Sequence, residues 1–493
     1  MQFDELTQQR IAKLNAIRAA GVDPYPARAR RTHTTAQALA ALMTAEAAGT
    51  ANSQPPQTTV VGRLVALRLM GKATFAHLAD GSGRIQIYLR QDDLGAERYE
   101  FLKNLDLGDF LQVSGFLFRT RTGEITVHAQ DVVLLSKALR PMPEKWHGLR
   151  ETETRYRQRY LDLMANEDTR ALFVTRSKII ATMRRFLDDR GFIEVETPIL
   201  QPQYGGAFAR PFVTHYNALD QDFYLRIATE LYLKRLIVGG IEKVYEIGKN
   251  FRNEGIDTKH QPEFTVMESY EAYADYNDVM RMVEELLAVL AEKALGTTTV
   301  TFGDHSVDFA ATWRRISVRE AIRLHVGIDI DEFPDRVSLL ARMQAANIKV
   351  DPHLSWGKLV DELLSTYVEP NLIQPTFLLD YPIDLSPLAK RKPDNPRYVE
   401  RFEGFAAGLE IANAFSELND PLDQLERFRQ QVEQRAAGDE EAQPMDEDYV
   451  IALMHGMPPT GGLGMGIDRL VMLLTNRPAI REVILFPQLR AKE

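Results

Sequence analysis

The chain has 493 residues, of which 45% are hydrophobic and 26% charged, and its formal net charge is −10. This length exceeds one typical core, so two or three domains are expected, and the acidic balance argues against a protein whose main task is to coat nucleic acid. The absence of cysteine excludes disulfides and thiolate metal sites. The N-terminal MQFDELTQQRIAKLNAIRAAG lacks the apolar stretch of a secretory signal, and no long apolar run suggests a membrane span, so a cytoplasmic protein is expected.

Two helices are predicted at the start of the chain. Apolar residues at helical spacing predict a helix over 4–20 that ends at Gly21. The segment TAQALAALMTAEAAG predicts a second helix, which ends at Gly49. The polar SQPPQ at 53–57 is typical of a linker. Residues 1–57 are therefore expected to be a helical extension with a linker.

Short strands separated by turn signals follow from Thr59 to about Leu139. About five strands in this length predict an OB-fold barrel over 58–140. Alternation along the strands directs Phe75, His77, Gln86 and Tyr88 outward, a combination suited to stacking on bases and bonding their edges. Exposed aromatic residues are also common on surfaces that bind nothing, so the strand pattern alone leaves both interpretations open.

The remainder of the chain predicts one large domain of helices and strands. Residues 141–168 are expected to be a proline-punctuated linker, and 169–493 a second domain with a helical insertion at about 277–370. The predicted helices cover about 169–189, 277–295 and 421–437. The predicted strands cover FIEVETPIL after Gly191, residues 211–216, 222–228, 243–254 and 263–270, TFLLDYP, and RFEGFAAGLEIANAFSEL.

The segment FRNEGIDTKHQPEFTVMESY, at 251–270, predicts two strands joined by a long loop. Arg252 and Glu254 share one face of the first strand, and Phe264, Glu268 and Tyr270 share one face of the second. An arginine can hold a phosphate or carboxylate, an aromatic ring can stack on a purine, and carboxylates can receive an ammonium group. A solvated hairpin is the alternative, but two interleaved aromatic residues favour a ligand site.

The segment RFEGFAAGLEIANAFSELND, at 401–420, predicts a hairpin that turns at Ala407–Gly408. Glu403 and Glu410 would lie close enough to share a hard cation such as Mg²⁺. Asn413, Phe415 and Glu417 alternate on the other parity, so one pocket can include all five side chains only if a β-bulge lies between Glu410 and Asn413. Surface glutamates on an edge hairpin are the alternative.

The segment GGLGMGIDRLVMLL, at 461–474, carries glycines at 462, 464 and 466 before an apolar helix. Glycines allow the backbone to approach another segment or a ligand closely. The spacing does not match a dinucleotide fingerprint. Arg469 at the start of a helix is unfavourable for the helix dipole, which favours an anionic partner for this side chain.

Three segments of the chain resemble the three signature motifs of class II aminoacyl-tRNA synthetases. In chain order they are GFIEVETPIL, FRNEG with HQPEF, and GLGMGIDRL. The OB-like segment ahead of them resembles the subclass of the lysine, aspartate and asparagine enzymes. Within that subclass, the chain resembles the bacterial-type lysyl-tRNA synthetases over nearly its whole length. The segments that carry this resemblance are GVDPYPAR, MGKATFAHLAD, RPMPEKWHGL, RYRQRYLDLM, GGAFARPF, RIATELYLKRL, LIQPTFLLDYP and NAFSELNDPLDQ. The resemblance implies a class II catalytic domain with a mixed, mainly antiparallel sheet flanked by helices.

The resemblance also implies roles for individual residues. The expected catalytic residues are Arg252 and Arg469. ATP is expected to contact Arg252 at its α-phosphate, Glu254 at the adenine amino group, His260 at the outer phosphates, and Phe264 and Arg469 on the two adenine faces. The expected lysine-binding residues are Gly206, Glu230 and Asn413 at the backbone end, and Glu268, Tyr270 and Glu417 at the side-chain ammonium. Glu403 and Glu410 match the Mg²⁺ carboxylates, and Arg68, Phe75, Gln86 and Glu124 are expected to bind the anticodon of tRNA(Lys).

A homodimer that meets through the Phe192–Leu200 segment is likewise implied by the resemblance. The carboxylates and the phenol of the predicted pocket favour lysine over aspartate, whose side chain would require a facing cation. The nearest alternatives are an aspartate or asparagine enzyme and an enzyme that lysylates proteins, which would lack the N-terminal barrel. A non-catalytic RNA-binding paralogue is the alternative of another class, and it should have lost Arg252, Glu410 or Arg469.

Overall fold

The computed structural model describes residues 2–143, 151–436 and 443–491. The chain forms two compact units, Met1–Leu149 and Arg150–Glu493. Within the described ranges, none of the helices combines the length and apolar character needed to cross a membrane. The predicted linker at 141–168 spans the division between the units, and its residues 144–150 lie outside the described ranges.

The first unit is a closed barrel of five strands in the order β1-β2-β3-β5-β4. Strands β3 and β5 pair in parallel and the other neighbours are antiparallel. The predicted OB-fold is therefore confirmed. The elements are α1 (Glu5–Ala19), α2 (Thr35–Ala47), β1 (Gln57–Met70), β2 (Ala73–Asp80), β3 (Gly83–Arg90), α3 (Gln91–Leu94), α4 (Ala96–Phe101), β4 (Phe110–Arg119) and β5 (Ile125–Ser136).

Both predicted N-terminal helices are present and pack with the barrel. Thr34 caps α2 by accepting the backbone N–H of Gln37, whose side chain returns a bond to the Thr34 N–H. Ile17 of α1 and Leu42 of α2 are buried in the same apolar cluster as the inward barrel residue Ile87. The helices thus belong to the compact unit that contains the barrel.

The second unit begins with three helices and a set of short strands. Its first elements are α5 (Thr152–Arg157), α6 (Arg159–Ala165), α7 (Glu167–Asp188), β6 (Ile193–Glu194), β7 (Leu200–Gln201), β8 (Val213–Tyr216), β9 (Gln221–Leu225), α8 (Glu230–Val238), β10 (Lys243–Phe251), β11 (Glu263–Ala272) and α9 (Tyr276–Leu295). The middle elements are β12 (Thr299–Phe302), β13 (His305–Asp308), β14 (Arg314–Ser317), α10 (Val318–Val326), α11 (Arg336–Ala345) and α12 (Trp356–Leu363). The last are β15 (Thr376–Leu379), β16 (Arg401–Ala406), β17 (Leu409–Ser416), α13 (Pro421–Ala436), α14 (Glu447–Met454), β18 (Thr460–Gly466), α15 (Ile467–Leu474) and α16 (Ile480–Val483).

The central sheet of this unit has the order β14-β15-β16-β17-β18-β11-β10-β6. Only the two outermost pairs are parallel, and the inner pairs are antiparallel. One face packs against α7 and α9 through an apolar cluster that includes Met267 and Met465. The opposite row of side chains, to which Glu268 and Tyr270 belong, is left for the cavity described below. The predicted mixed, mainly antiparallel sheet is confirmed.

Three predicted elements differ from the structure. FIEVETPIL forms only the two-residue strands β6 and β7, since Pro198 between them has no N–H to donate to a ladder. The strand predicted at 243–254 ends at Phe251, because its ladder partner Glu263 is the first residue of β11 and is preceded by Pro262, which has no N–H to extend the ladder. The insertion at 277–370 is not purely helical, because β12 and β13 form a hairpin and β14 joins the edge of the central sheet.

Candidate active site

A cavity of about 390 Å³ lies over the sheet face that α7 and α9 leave uncovered. It is lined by side chains from β10, β11, β16, β17 and β18, and by the ends of α8 and α15. All the residues of this unit that were predicted for ATP, lysine and metal line it: Gly206, Glu230, Arg252, Glu254, His260, Phe264, Glu268, Tyr270, Glu403, Glu410, Asn413, Glu417 and Arg469. The solvated-hairpin interpretation of 251–270 is therefore wrong.

The hairpin of β16 and β17 carries the predicted bulge. Glu403 pairs with Asn413, but Glu410 pairs with Phe405, so Ile411 is an extra residue on β17. The turn has left-handed backbone at Ala407 (φ 51°) and Gly408 (φ 70°), as a two-residue hairpin loop requires. Because of the extra residue, Glu410 faces the same cavity as Asn413 and Glu417.

The glycines of β18 make room beside the carboxylates. Gly462 pairs with Tyr270 and Gly464 pairs with Glu268. A Cβ on Gly462 would lie 1.8 Å from Oε1 of Glu417 and 2.7 Å from the Tyr270 ring, so only glycine fits there. A Cβ on Gly464 would meet nothing closer than 3.7 Å. The close approach expected of this segment is thus found at Gly462.

Three carboxylates converge at one end of the cavity. Glu230 and Glu268 are each 7% exposed and Glu417 is 1% exposed. The Tyr270 hydroxyl donates to Glu268 at 3.2 Å, and the backbone N–H of Thr229 donates to its other oxygen at 3.2 Å. Burial, reinforced by the charge of Glu230, raises the pKa of Glu268. Three buried carboxylates, when ionised, need facing cations.

Lys234 lies behind these carboxylates, and the sequence analysis missed it. Its Nζ is 2.5 Å from Oε1 of Glu230 and forms a second ion pair with Oε2 of Glu417. The side chain is fully buried. The spacing of Glu230 and Lys234, one helical turn apart on α8, was the available signal.

Arg252 and Phe264 form the middle of the cavity. Arg252 follows the last residue of β10, and its guanidinium lies 5.1 Å from the Phe264 ring centroid. The Arg252 N–H donates to the Pro262 carbonyl at 2.9 Å, which continues the hairpin past the ladder. Among the described residues, the buried Nε of Arg252 has no hydrogen-bond partner. The side chain therefore offers an uncommitted donor to an anionic ligand.

Arg469 lies in the first turn of α15, as predicted, and has the anionic partner that its position favours. Its guanidinium donates to Glu410 at 2.7 Å and lies 3.1 Å from Nε2 of His260. The other ring nitrogen of His260 is 2.7 Å from Asp257. His260 and Glu254 are exposed at the cavity mouth. These side chains bring cationic and hydrogen-bonding groups to the open end.

Glu403 is the most heavily bonded carboxylate of the cavity. It accepts hydrogen bonds from the Tyr381 hydroxyl at 2.7 Å, from Arg401 at 2.6 Å and from Asn413 at 3.3 Å. Burial and the nearby charge of Glu410 raise its pKa to about 8. Among the described residues, no group of three or more His, Cys, Asp or Glu side chains is arranged so that it could hold a metal ion by itself. Two carboxylates still suit Mg²⁺, which commonly keeps waters and takes its remaining ligands from substrate phosphates.

The outer barrel face carries the predicted anticodon residues. Phe75 stacks on Tyr88 with ring centroids 4.6 Å apart, and Arg68 pairs with Phe75 in the β1–β2 register. Glu124 accepts a hydrogen bond from Gln86 at 2.7 Å and lies 2.8 Å from Nε2 of His77.

Three aromatic residues that the sequence analysis did not single out extend this face. They are Phe116, Phe118 and His128, whose rings contact one another, with Phe116 and His128 stacked at 4.6 Å. Phe118 and His128 also contact Tyr88. Their alternation on β4 and β5 was the available signal.

Comparisons with known proteins agree with this architecture. Residues 151–490 match the model of the class II tRNA synthetases (D, K and N), and residues 58–135 match the OB-fold nucleic acid binding domain. The chain is 57% identical to the lysine–tRNA ligase of Roseiflexus sp. (strain RS-1), with 100% of both chains covered. It is 56% identical to that of Chloroflexus aurantiacus, over 100% of this chain and 99% of the relative, and 55% identical to one from Dehalococcoides mccartyi over the same shares. The chain belongs to the class II lysyl-tRNA synthetase family.

Proposed function

We propose that the cavity activates L-lysine with ATP to give lysyl-adenylate and pyrophosphate, and then transfers lysine to the 3′ end of tRNA(Lys). Lysine–tRNA ligase activity follows from full-length similarity to curated ligases. The convergence of Glu230, Glu268 and Glu417 on a buried pocket supports lysine as the amino acid, because a buried ammonium needs facing carboxylates.

In this proposal the substrate lysine lies with its carboxylate toward Arg252. Gly206, Glu230 and Asn413 hold its backbone end, while Glu268, Tyr270 and Glu417 surround the side-chain ammonium. Gly206 has φ 88° and a Cβ there would lie 3.0 Å from Ala228 and 3.1 Å from Glu230, so its backbone reaches the pocket without a side chain. That close approach supports a role in holding the amino-acid backbone.

ATP is proposed to occupy the open end of the cavity. Its adenine would stack on Phe264, with Arg469 over the other face and Glu254 at the exocyclic amino group. Arg252 would bind the α-phosphate, and His260 the outer phosphates. Two observations support this arrangement. The Arg252 guanidinium lies 5.1 Å from the Phe264 ring centroid, and the Arg469 guanidinium lies beside His260.

Glu403 and Glu410 are proposed to hold Mg²⁺ together with the phosphates of ATP. When bound, the metal would neutralise charge that develops on the phosphates. The oxygen ligands fit this ion, and the raised pKa of Glu403 supports an environment that favours a cation. Tyr381 and Arg401 orient the Glu403 carboxylate from behind.

The protein's contribution to the first step is orientation and charge stabilisation. The lysine carboxylate attacks the α-phosphorus and pyrophosphate leaves, while Arg252 contacts both reacting groups. In the second step the terminal 3′-hydroxyl of the tRNA attacks the carbonyl carbon of the adenylate and AMP leaves. Because the lysine carboxylate is already an ionised nucleophile, the first step needs no general base.

The proposed amino acid is tested by ATP–pyrophosphate exchange with each of the standard amino acids. Lysine alone should support rapid exchange. Exchange that is fastest with aspartate or asparagine would contradict the proposal, and so would exchange with none of them.

The outer barrel face is proposed to bind the anticodon of tRNA(Lys) through Arg68, Phe75, Gln86 and Glu124. The Phe75–Tyr88 stack offers a platform for a base, and the Gln86–Glu124 bond presents polar atoms to a base edge. A cytoplasmic location remains the prediction made from the sequence.

A second copy of this chain is the proposed partner at the Phe192–Leu200 segment. Ile193, Ile199 and Leu200 are 53%, 45% and 52% exposed, and Val213 and Leu219 nearby in sequence are 59% and 58% exposed. Exposed apolar groups at this density favour an interface. Light scattering should give the mass of a dimer, and Leu200→Asp should reduce it to that of a monomer; an unchanged mass would contradict this interface.

A further inference from the structure

Lys234 divides the oxygens of two pocket carboxylates into two sets. Its ammonium contacts Oε1 of Glu230 at 2.5 Å and pairs with Oε2 of Glu417. The rings of Phe415 and Tyr270 lie 5.3 and 5.9 Å from Nζ, so the ammonium is enclosed by carboxylates and aromatic faces. With this side chain fully buried, solvent does not compete for these contacts.

The other oxygen of each carboxylate is turned toward the cavity. Both oxygens of Glu417 are buried without a hydrogen bond among the described residues, but Oε2 has the ion pair with Lys234, whereas Oε1 has neither and occupies the space that Gly462 leaves. Oε2 of Glu230 lies 3.8 Å from where a Cβ on Gly206 would stand, at the edge of the cavity. One buried cation thus fixes which oxygens remain for a ligand.

The number of charges at this end of the cavity also suits a ligand with two ammonium groups. Glu230, Glu268 and Glu417 bring three negative charges to this end of the cavity when ionised, and Lys234 cancels one. The two that remain equal the two ammonium groups of free lysine, whose carboxylate is matched separately by Arg252. Because unmatched charge is costly in a buried site, this balance favours a diamino acid over a monoamino acid.

We propose that Lys234 is a positioning and specificity residue of the amino-acid pocket, which keeps Glu230 and Glu417 ionised and turned so that each offers one oxygen to an ammonium group of lysine. This inference rests on the proposed roles of Glu230 and Glu417 in binding the substrate. Lys234 itself does not contact the reacting atoms.

The electrostatics around Lys234 support this role. Burial alone would lower the pKa of the Lys234 ammonium, but Glu230 and Glu417 outweigh it and raise the pKa above its ordinary value. Burial raises the pKa of both carboxylates, and the charge of Lys234 acts against that rise. The other ionisable groups that influence these three residues are Glu268, Tyr270, Arg401 and Tyr449.

The test compares Lys234→Met with Arg235→Met, which removes a cation from the next position of α8. Arg235 pairs with Asp446 and Asp448 outside the cavity lining. In ATP–pyrophosphate exchange, Lys234→Met should raise KM for lysine about tenfold or more with little change in KM for ATP, the size expected for one weakened charge-assisted contact. Arg235→Met should leave both constants near the wild-type values.

The pH dependence separates positioning from general damage. Without Lys234 the pKa values of Glu230 and Glu417 rise, so one carboxylate is protonated at a higher pH than in the wild type. KM for lysine should therefore rise more steeply in Lys234→Met than in the wild type as the pH is lowered from the alkaline range. A variant that folds and keeps the wild-type KM and pH profile would overturn the proposal.

Two further variants cover the remaining outcomes. Lys234→Gln keeps a donor without the charge and should show the same shift if Lys234→Met does not fold. Failure of both to fold beside a folded Arg235→Met would assign Lys234 to stability and overturn the positioning role. Glu417→Gln should raise KM for lysine on its own, and an unchanged KM in this variant would refute the proposed lysine pocket. A raised KM in Glu417→Gln together with a wild-type KM in Lys234→Met would refute only the inference about Lys234.

Discussion

At the residue scale, the site depends on glycines as well as on its functional side chains. Gly462 leaves the space that Glu417 and Tyr270 fill, and Gly206 brings its backbone to the pocket edge. The sequence analysis assigned Glu417 and Tyr270 to the pocket from a family resemblance. That both side chains lie against position 462 required the strand register, because Tyr270 pairs with Gly462, which is nearly two hundred positions away in the chain.

Gly462→Ala is expected to raise KM for lysine at least about tenfold, since the new methyl group displaces the Glu417 carboxylate and the Tyr270 ring. Gly464→Ala is the matched control, because its Cβ would meet nothing closer than 3.7 Å. Steady-state exchange assays on both variants provide the measurement. Equal effects of the two substitutions on KM for lysine would contradict the assigned contact.

Arg252→Ala is expected to reduce ATP–pyrophosphate exchange by about 10²-fold or more, as found when a group that stabilises developing charge is removed. The buried Nε of the half-buried Arg252 side chain, which has no hydrogen-bond partner among the described residues, motivates this expectation. Arg235→Met again serves as the control for loss of a cation in the same unit. Exchange that persists at the wild-type rate in Arg252→Ala would remove this residue from the chemistry.

At the scale of elements, alternation along the strands predicted the faces of the barrel and of the hairpins. It also required the bulge in β17, because Glu410 and Asn413 otherwise face opposite sides. The end of β10 at Phe251 could not be predicted, since it depends on where the partner strand begins. The role of Lys234 could not be predicted, because the sequence of α8 shows the spacing of Glu230 and Lys234 but not the ion pair between Lys234 and Glu417, directly after β17.

A buried aspartate, Asp162, links the first two helices of the second unit by hydrogen bonds. Asp162 is fully buried, and it accepts hydrogen bonds from Arg159 of α6 at 2.7 Å and from Arg155 of α5 at 2.9 Å. Burial alone would raise the pKa of Asp162, but its bonds to Asn166, Arg155 and Arg159 hold the pKa below its ordinary value. The contribution of Asp162 to stability is therefore complete above that ordinary value and is lost as the pH falls through the lowered one.

Asp162→Asn should lower the free energy of unfolding by about 3 kcal/mol near neutral pH, because it leaves the buried Arg159 without its counter-charge. Thermal or denaturant unfolding across the pH range measures this loss, which should shrink below about pH 4 as the wild-type acid becomes protonated. Asp168→Asn, at an exposed position of α7, should cost less than about 1 kcal/mol. A loss for Asp162→Asn that does not depend on pH would contradict the ion-pair account.

At the scale of the whole molecule, the chain divides into two compact units, one with the barrel and one with the cavity. Each of the two proposed sites therefore lies within a single unit. Changes on the barrel face should affect the step that uses tRNA, and changes in the cavity should affect both steps.

Phe75→Ala is expected to weaken tRNA charging by about tenfold while it leaves ATP–pyrophosphate exchange intact, since one base–aromatic stack contributes about 1–3 kcal/mol. Aminoacylation and exchange assays on the same preparation measure the two steps. Arg98→Gln is a suitable control on the same unit, because it removes only an exposed ion pair with Asp131. Equal losses in both assays would mean that Phe75 supports the fold rather than the tRNA.

The extra residue at Ile411 has a consequence for how this strand can change over evolutionary time. Deleting the Ile411 codon would leave Glu410 and Asn413 two positions apart, so a regular ladder would keep both side chains on the cavity face without the bulge. Relatives that lack this one codon could therefore keep the same two side chains in the cavity on a straight strand, so a single-codon gap at this position need not signal a lost site.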